Sequence, residues 1–172
     1  MQPIGARACC SLSGESKSRN EWDYCHDCRE EINTLHAGHL DLELSEAEHA
    51  DLQALLNKLM VKAMMGKIVF RVSEDTHNPD ADIMTLKDCQ FIYELRPQPE
   101  GTMRFGVRQL PKRVARLYCA EPKHDEAKIL GLHLATKTSG QDVDQEQNAA
   151  ILESASRANA WEYSKIIEKL NV

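Results

Sequence analysis

Two groups of residues carry side chains able to do chemistry. The first is Cys25-His26-Asp27-Cys28 followed by His36-Ala37-Gly38-His39, a C-x2-C-x7-H-x2-H spacing. Two thiolates and two imidazoles can close a tetrahedral zinc site. Cys25, Cys28, His36 and His39 are therefore the candidate metal ligands, with Cys9-Cys10 as alternatives upstream. A structural zinc would staple residues 1–39, which have little apolar material of their own. The competing readings are a thiol-containing helix start and loop, or redox chemistry. The second group lies on three short segments whose side chains alternate. Glu94 and Arg96, Arg116 and Tyr118, and His133 and Lys137 are each two or four residues apart, which on a strand puts each pair on one face. Two arginines, a tyrosine, a histidine, a lysine and a glutamate can bind phosphate and move protons. An ordinary solvated face carries mostly Thr, Lys, Glu and Ser. Each residue also has a bland alternative: a cross-strand ion pair for Glu94, edge packing for Tyr118, a hydrogen-bonded structural role for His133, and solubility for Lys137.

The elements that must position these residues follow from hydrophobic period and turn chemistry. Leu40, Leu42 and Leu44 alternate with acidic residues, the pattern of a half-buried strand. Ser45 stands three residues ahead of Glu48, a capping box, and Leu52, Leu55, Leu56, Leu59, Met60 and Ala63 follow at helical spacing up to Gly66. Lys67–Val72 could form a strand, and Ser73–Asp82 reads as a turn or loop. Strands are expected at Phe91–Leu95, Met103–Leu110, Arg113–Cys119 and Lys128–Thr136, with short Pro- and Gly-containing connections that favour an antiparallel meander. A final helix runs from about Asp144 to Leu170, with Ala149, Leu152, Ala155, Ile166 and Leu170 expected on its buried side. The result is an α+β layer: a small, mainly antiparallel sheet with an N-terminal helix or helix pair and a C-terminal helix. A Cys/His-rich extension over 1–39 would precede the main domain, 40–172.

The 172 residues suffice for one ordinary domain plus an appendage. No run approaches the roughly 18 apolar residues of a membrane span, and the first 30 residues lack the apolar core of a signal peptide. A cytoplasmic protein without membrane partners is the expectation, and reduced thiols go with it. The formal net charge of −6 speaks against nucleic-acid binding. The charge is uneven, however. Residues 1–66 hold six Lys/Arg against eleven Asp/Glu, whereas residues 87–137 hold ten against six.

Residues 86–138 carry a family resemblance. Leu86-Lys87-Asp88 followed by Tyr93-Glu94-Leu95-Arg96 resembles a strand motif of HigB-like members of the RelE/ParE toxin superfamily. Arg116-Leu117-Tyr118 is similar to that family's next strand, and Leu132-His133-Leu134-Ala135-Thr136-Lys137-Thr138 to its last. Leu42–Ala47 leading into a Leu-rich helix looks like its first strand and helix. The resemblance spans about residues 40–158. It implies a RelE-like fold and a toxin of a type II toxin–antitoxin system, partnered by an antitoxin protein and acting on messenger RNA on the ribosome. The implied reaction is attack of the RNA 2′-hydroxyl on the adjacent phosphorus, with no cofactor for catalysis. Glu94 or His133 would be the base; Arg96, Arg116 and Lys137 would hold the phosphate; Tyr118 or His133 would stack on a base or act as acid. Thr136-Lys137 replaces the usual Lys-Lys pair, the chain is acidic where these toxins are basic, and it is longer. Those departures leave two alternatives: an inactive or gyrase-inhibiting member that acts through protein–protein binding, and a zinc-stapled adaptor. A nuclease should gather the six site residues on one open concave face. A binding protein should show an exposed apolar patch, or Glu94–Arg pairs that fill the site.

Overall fold

The computed structural model describes residues 21–39, 44–68, 70–71, 83–86, 89–97, 113–122, 125, 128–138 and 143–170. The chain runs β1 (Glu21–Tyr24), α1 (His26–His36), α2 (Glu46–Met64), β2 (Phe70–Arg71), β3 (Ile83–Leu86), β4 (Cys89–Leu95), β5 (Arg113–Ala120), β6 (Lys128–Thr138) and α3 (Val143–Leu170). The strands form one sheet in the order β1-β6-β5-β4-β3-β2. Its centre, β6-β5-β4-β3, is antiparallel, while β1 runs parallel to β6 and β2 parallel to β3. The class is α+β as expected, but the sheet is mixed. The strand expected at Leu40–Leu44 and that at Met103–Leu110 fall wholly or largely outside the described residues, as do Cys9 and Cys10.

Local chemistry explains the helices. Ser45 Oγ accepts from Glu48 N–H at 3.4 Å, and Glu48 Oε2 accepts from Ser45 N–H at 2.9 Å, so the capping box that starts α2 is formed. Leu52, Leu56, Leu59 and Ala63 make its buried stripe. Helices α1 and α2 are each followed by a glycine with positive φ, Gly38 (73°) and Gly66 (65°), where a residue with a Cβ would be strained.

Two clusters cover the two faces of the sheet. Cys28, Ile32 and Leu35 of α1 and the α2 stripe pack with Tyr93, Leu95, Leu117, Cys119, Ile129 and Leu134. On the other face, Ala150 and Ala158 of α3 pack with Ile92, Tyr118, Ala120, Leu130 and Leu132. The sheet is thus the middle of three layers, and the face expected to be open to solvent lies under α3.

Two sequence expectations change here. The sheet and its core run across residue 39, because β1 pairs with β6 and α1 belongs to the α2-side cluster. Residues 21–36 are therefore part of the sheet domain rather than an extension to it. On α3 the buried side is Ala150, Ser154 and Ala158, with Ile151, Ala155 and Trp161 half-buried. Ala149 is exposed, and Leu152 (70%), Ile166 (47%) and Leu170 (76%) face outward. Small residues four apart let the helix backbone approach the sheet closely, and that requirement outranked side-chain hydrophobicity.

Candidate functional site

The strand registers decide which side chains meet. Glu94 of β4 is paired with Tyr118 of β5, and Tyr118 with His133 of β6. These three residues therefore form one row across the sheet. Arg116 sits two residues before Tyr118 on the same face, and Arg96 two residues after Glu94. The Tyr118 and His133 rings stack at a centroid distance of 6.2 Å. Five of the six expected site residues are thus drawn together. The sixth, Lys137, is paired with Val114 four residues further along β6.

His133 reaches this row through a bulge. Tyr118 is opposite His133 but Cys119 is opposite Gly131, so Leu132 is an extra residue in β6. The bulge breaks simple alternation: Leu132 packs on the α3 side with Tyr118, instead of opposite His133. It also leaves the Leu132 carbonyl off the β5 ladder. That oxygen accepts from Cys25 Sγ at 3.0 Å and from Arg157 Nη1 at 3.0 Å.

The row is closed and largely neutralised. Glu94 is fully buried, Tyr118 is 1% exposed and Arg116 is 7% exposed. Arg96 Nε donates to Glu94 Oε1 at 2.8 Å. Arg116 Nε lies 2.8 Å from the same oxygen as an ion-pair contact, its N–H aimed off the hydrogen-bond line, while its Nη1 donates to Ala115 O at 2.8 Å. From α3, Gln147 Nε2 approaches Glu94 Oε2 at 3.4 Å. Burial pulls the Arg116 guanidinium below its ordinary value, and the Glu94 charge opposes this. Burial, then Glu94, pushes the Tyr118 phenol upward, so it is a poor proton donor.

His133 belongs to a second network that the sequence did not announce. Glu31 of α1 contacts His133 Nδ1 through Oε1 at 2.9 Å, and its Oε2 accepts from Leu134 N–H at 2.7 Å. Arg157 of α3 donates to Glu31 Oε1 at 2.8 Å and to Glu153 Oε1 at 2.7 Å. Burial raises the Glu31 carboxyl, but the bonds from His133, Leu134 N–H and Arg157 outweigh it and hold the group below its ordinary value. Strand β1 covers β6 only as far as Gly131. Beyond it, Cys25, Arg157 and Glu31 side chains satisfy the strand edge. Glu31 and Arg157 were not legible as site residues, because each is an ordinary helix charge until a partner about a hundred residues away is known.

The candidate metal ligands are not assembled. Cys25 and Cys28 are buried at the start of α1, whereas His36 and His39 are exposed at and just beyond its end. His36 is eight positions beyond Cys28 along the helix, about 12 Å of rise. A four-ligand zinc site on these residues does not fit, since zinc needs all its ligands within about 2.3 Å. Among the described residues no group of three or more His, Cys, Asp and Glu side chains could hold a metal ion. Cys25 Sγ instead donates to Leu132 O at 3.0 Å, and the nearness of the two thiols lowers that of Cys25 and, together with burial, raises that of Cys28.

No family model, curated protein or solved structure matches this chain. The geometry stands alone. Among the described residues no helix is long and apolar enough to cross a membrane.

Proposed function

We propose that this chain is a RelE/ParE-superfamily protein, nearest the HigB-like toxins, that acts by binding a protein partner rather than by cutting RNA. The observation that carries this reading is the buried Glu94, which holds Arg96 and Arg116 on one carboxylate oxygen beneath α3. Cations committed to an internal carboxylate have little charge left for a phosphorane. A second feature supports the binding half. Tyr163, Ile166, Ile167 and Leu170 lie at i, i+3, i+4 and i+7 and are all exposed, forming an apolar stripe on α3. An antitoxin is the class of partner that the resemblance suggests for it.

The RNA-cleaving reading keeps one observation in its favour. Glu94, Tyr118 and His133 share a row, and His133, 19% exposed at its side chain, has its Nδ1 held by Glu31. An imidazole oriented by a carboxylate is a competent general base. Inducible expression separates the two. The binding reading expects translated message to remain uncut, with no change on His133→Ala. Message cut by wild type, and spared by a folded His133→Ala variant, establishes the nuclease instead.

A further inference from the structure

The start of α1 holds two thiols that neither reading uses. Cys25 is the residue before the helix, with an extended backbone (φ −63°, ψ 157°), and Cys28 is in the first turn. Within a regular helix, residues three apart hold their Cβ atoms about 5–6 Å apart, too far for a disulfide, which needs about 3.8 Å. The extended backbone of Cys25 removes that constraint, and both residues meet at one point of β6, where the Cys25 N–H donates to Gly131 O at 3.1 Å. Gly131 lies against them: a Cβ there would come within 3.3 Å of Cys28 Sγ. Cys25 is 9% exposed and Cys28 fully buried, on either side of the His26 and Asp27 side chains that are 88% and 64% exposed, so Cys25 is the thiol that an exchange partner can reach.

We propose that Cys25 and Cys28 form a reversible dithiol–disulfide site that exchanges with low-molecular-weight disulfides of the glutathione class. The Cys25 thiolate attacks one sulfur of glutathione disulfide, forming a mixed disulfide and releasing one glutathione thiolate. Cys28 then attacks Cys25 Sγ and expels the second glutathione, whose leaving sulfur takes up the Cys28 proton. Two protein thiols are oxidised and one glutathione disulfide is reduced to two thiols. The hydrogen bond from Cys25 Sγ to Leu132 O is lost, but Arg157 Nη1 still donates to that oxygen. The loop closed is so short that the bond adds little stability, as suits exchange rather than stapling.

The test treats the reduced full chain with glutathione disulfide, alkylates the remaining thiols and maps the peptides. A Cys25–Cys28 linkage is expected, reversed by dithiothreitol without change in circular dichroism. Cys28→Ser should trap glutathione on Cys25, and Cys25→Ser should leave Cys28 unmodified. The proposal is overturned if wild type keeps both thiols alkylatable only after denaturation. Linkage of Cys25 to another cysteine, or a folded Cys28→Ser variant that takes up no glutathione, also overturns it.

Discussion

A carboxylate shielded from water keeps its charge only beside cations, and Glu94 has two of them within 2.8 Å. Removing one member of such a cluster leaves the others buried and uncompensated, which typically costs about 3–5 kcal/mol. Glu94→Gln should therefore lower unfolding stability by about that much in urea titration. Gln147→Ala, which removes the 3.4 Å contact to Glu94 but leaves both cations in place, should cost under about 1 kcal/mol. Equal effects from the two variants would show that the cluster is not what holds this face. Glu31 gives a pH signature. Its folded pKa lies below the ordinary carboxylate value of 4.5, so its stabilisation is complete above that value and disappears as pH falls through the folded one. Glu31→Gln should flatten the acid limb of the stability curve below about pH 4.5, with midpoints compared at pH 7 and across pH 2–5. Of the site, Glu94, Arg96, Arg116, Tyr118 and His133 were legible because strand alternation is local. Pairing of Glu94 with an arginine was legible as the alternative to a phosphate site, but as an exposed pair; its burial was not, because that depends on a helix fifty residues away.

At the scale of elements, the sequence was most informative where the signal is carried by neighbours. Ser45 and Glu48 announced α2, and the runs 91–95, 113–119 and 128–136 announced β4, β5 and β6 to within a few residues. Strand β1 was missed because four residues, Glu21-Trp22-Asp23-Tyr24, are too short for a period to register. They sit beside a Cys/His cluster that drew the reading toward metal. What places β1 is long-range: Trp22 Nε1 donates to Met60 O of α2 at 3.0 Å, and the strand pairs with Lys128–Gly131. Gly131 is the tight point of that junction. A Cβ there would come within 2.7 Å of the Tyr24 ring. Overpacking of this kind costs about 1–3 kcal/mol. Gly131→Ala should therefore lower the urea midpoint and speed exchange of the Cys25 amide, which donates to Gly131 O at 3.1 Å. An unchanged midpoint would mean that Tyr24 swings aside freely and does not help to fix β1.

For the whole molecule, composition and burial bear on the same question from opposite sides. The chain carries a formal charge of −6, and two arginines of its most basic segment are committed to Glu94. Phosphate binding draws its affinity from free cations and the counterions they displace, so it weakens steeply with salt. A protein with few such cations should bind neither a structured RNA hairpin nor heparin at physiological ionic strength. Fluorescence anisotropy against the hairpin, run across a salt series, measures this directly. Submicromolar binding with a steep salt slope would contradict the binding-protein reading and restore the nuclease. The apolar stripe of α3 makes the complementary case. Among the described residues Ile166 and Leu170 lie outside both core clusters, and they are 47% and 76% exposed. Changing both to glutamate should shift unfolding stability by no more than about 0.5 kcal/mol. The same change should abolish co-purification with the product of an adjacent antitoxin-like reading frame. The two readouts separate a docking face from a structural one. If the double variant unfolds, the stripe belongs to the fold; if it stays folded and still holds that partner, the partner docks elsewhere.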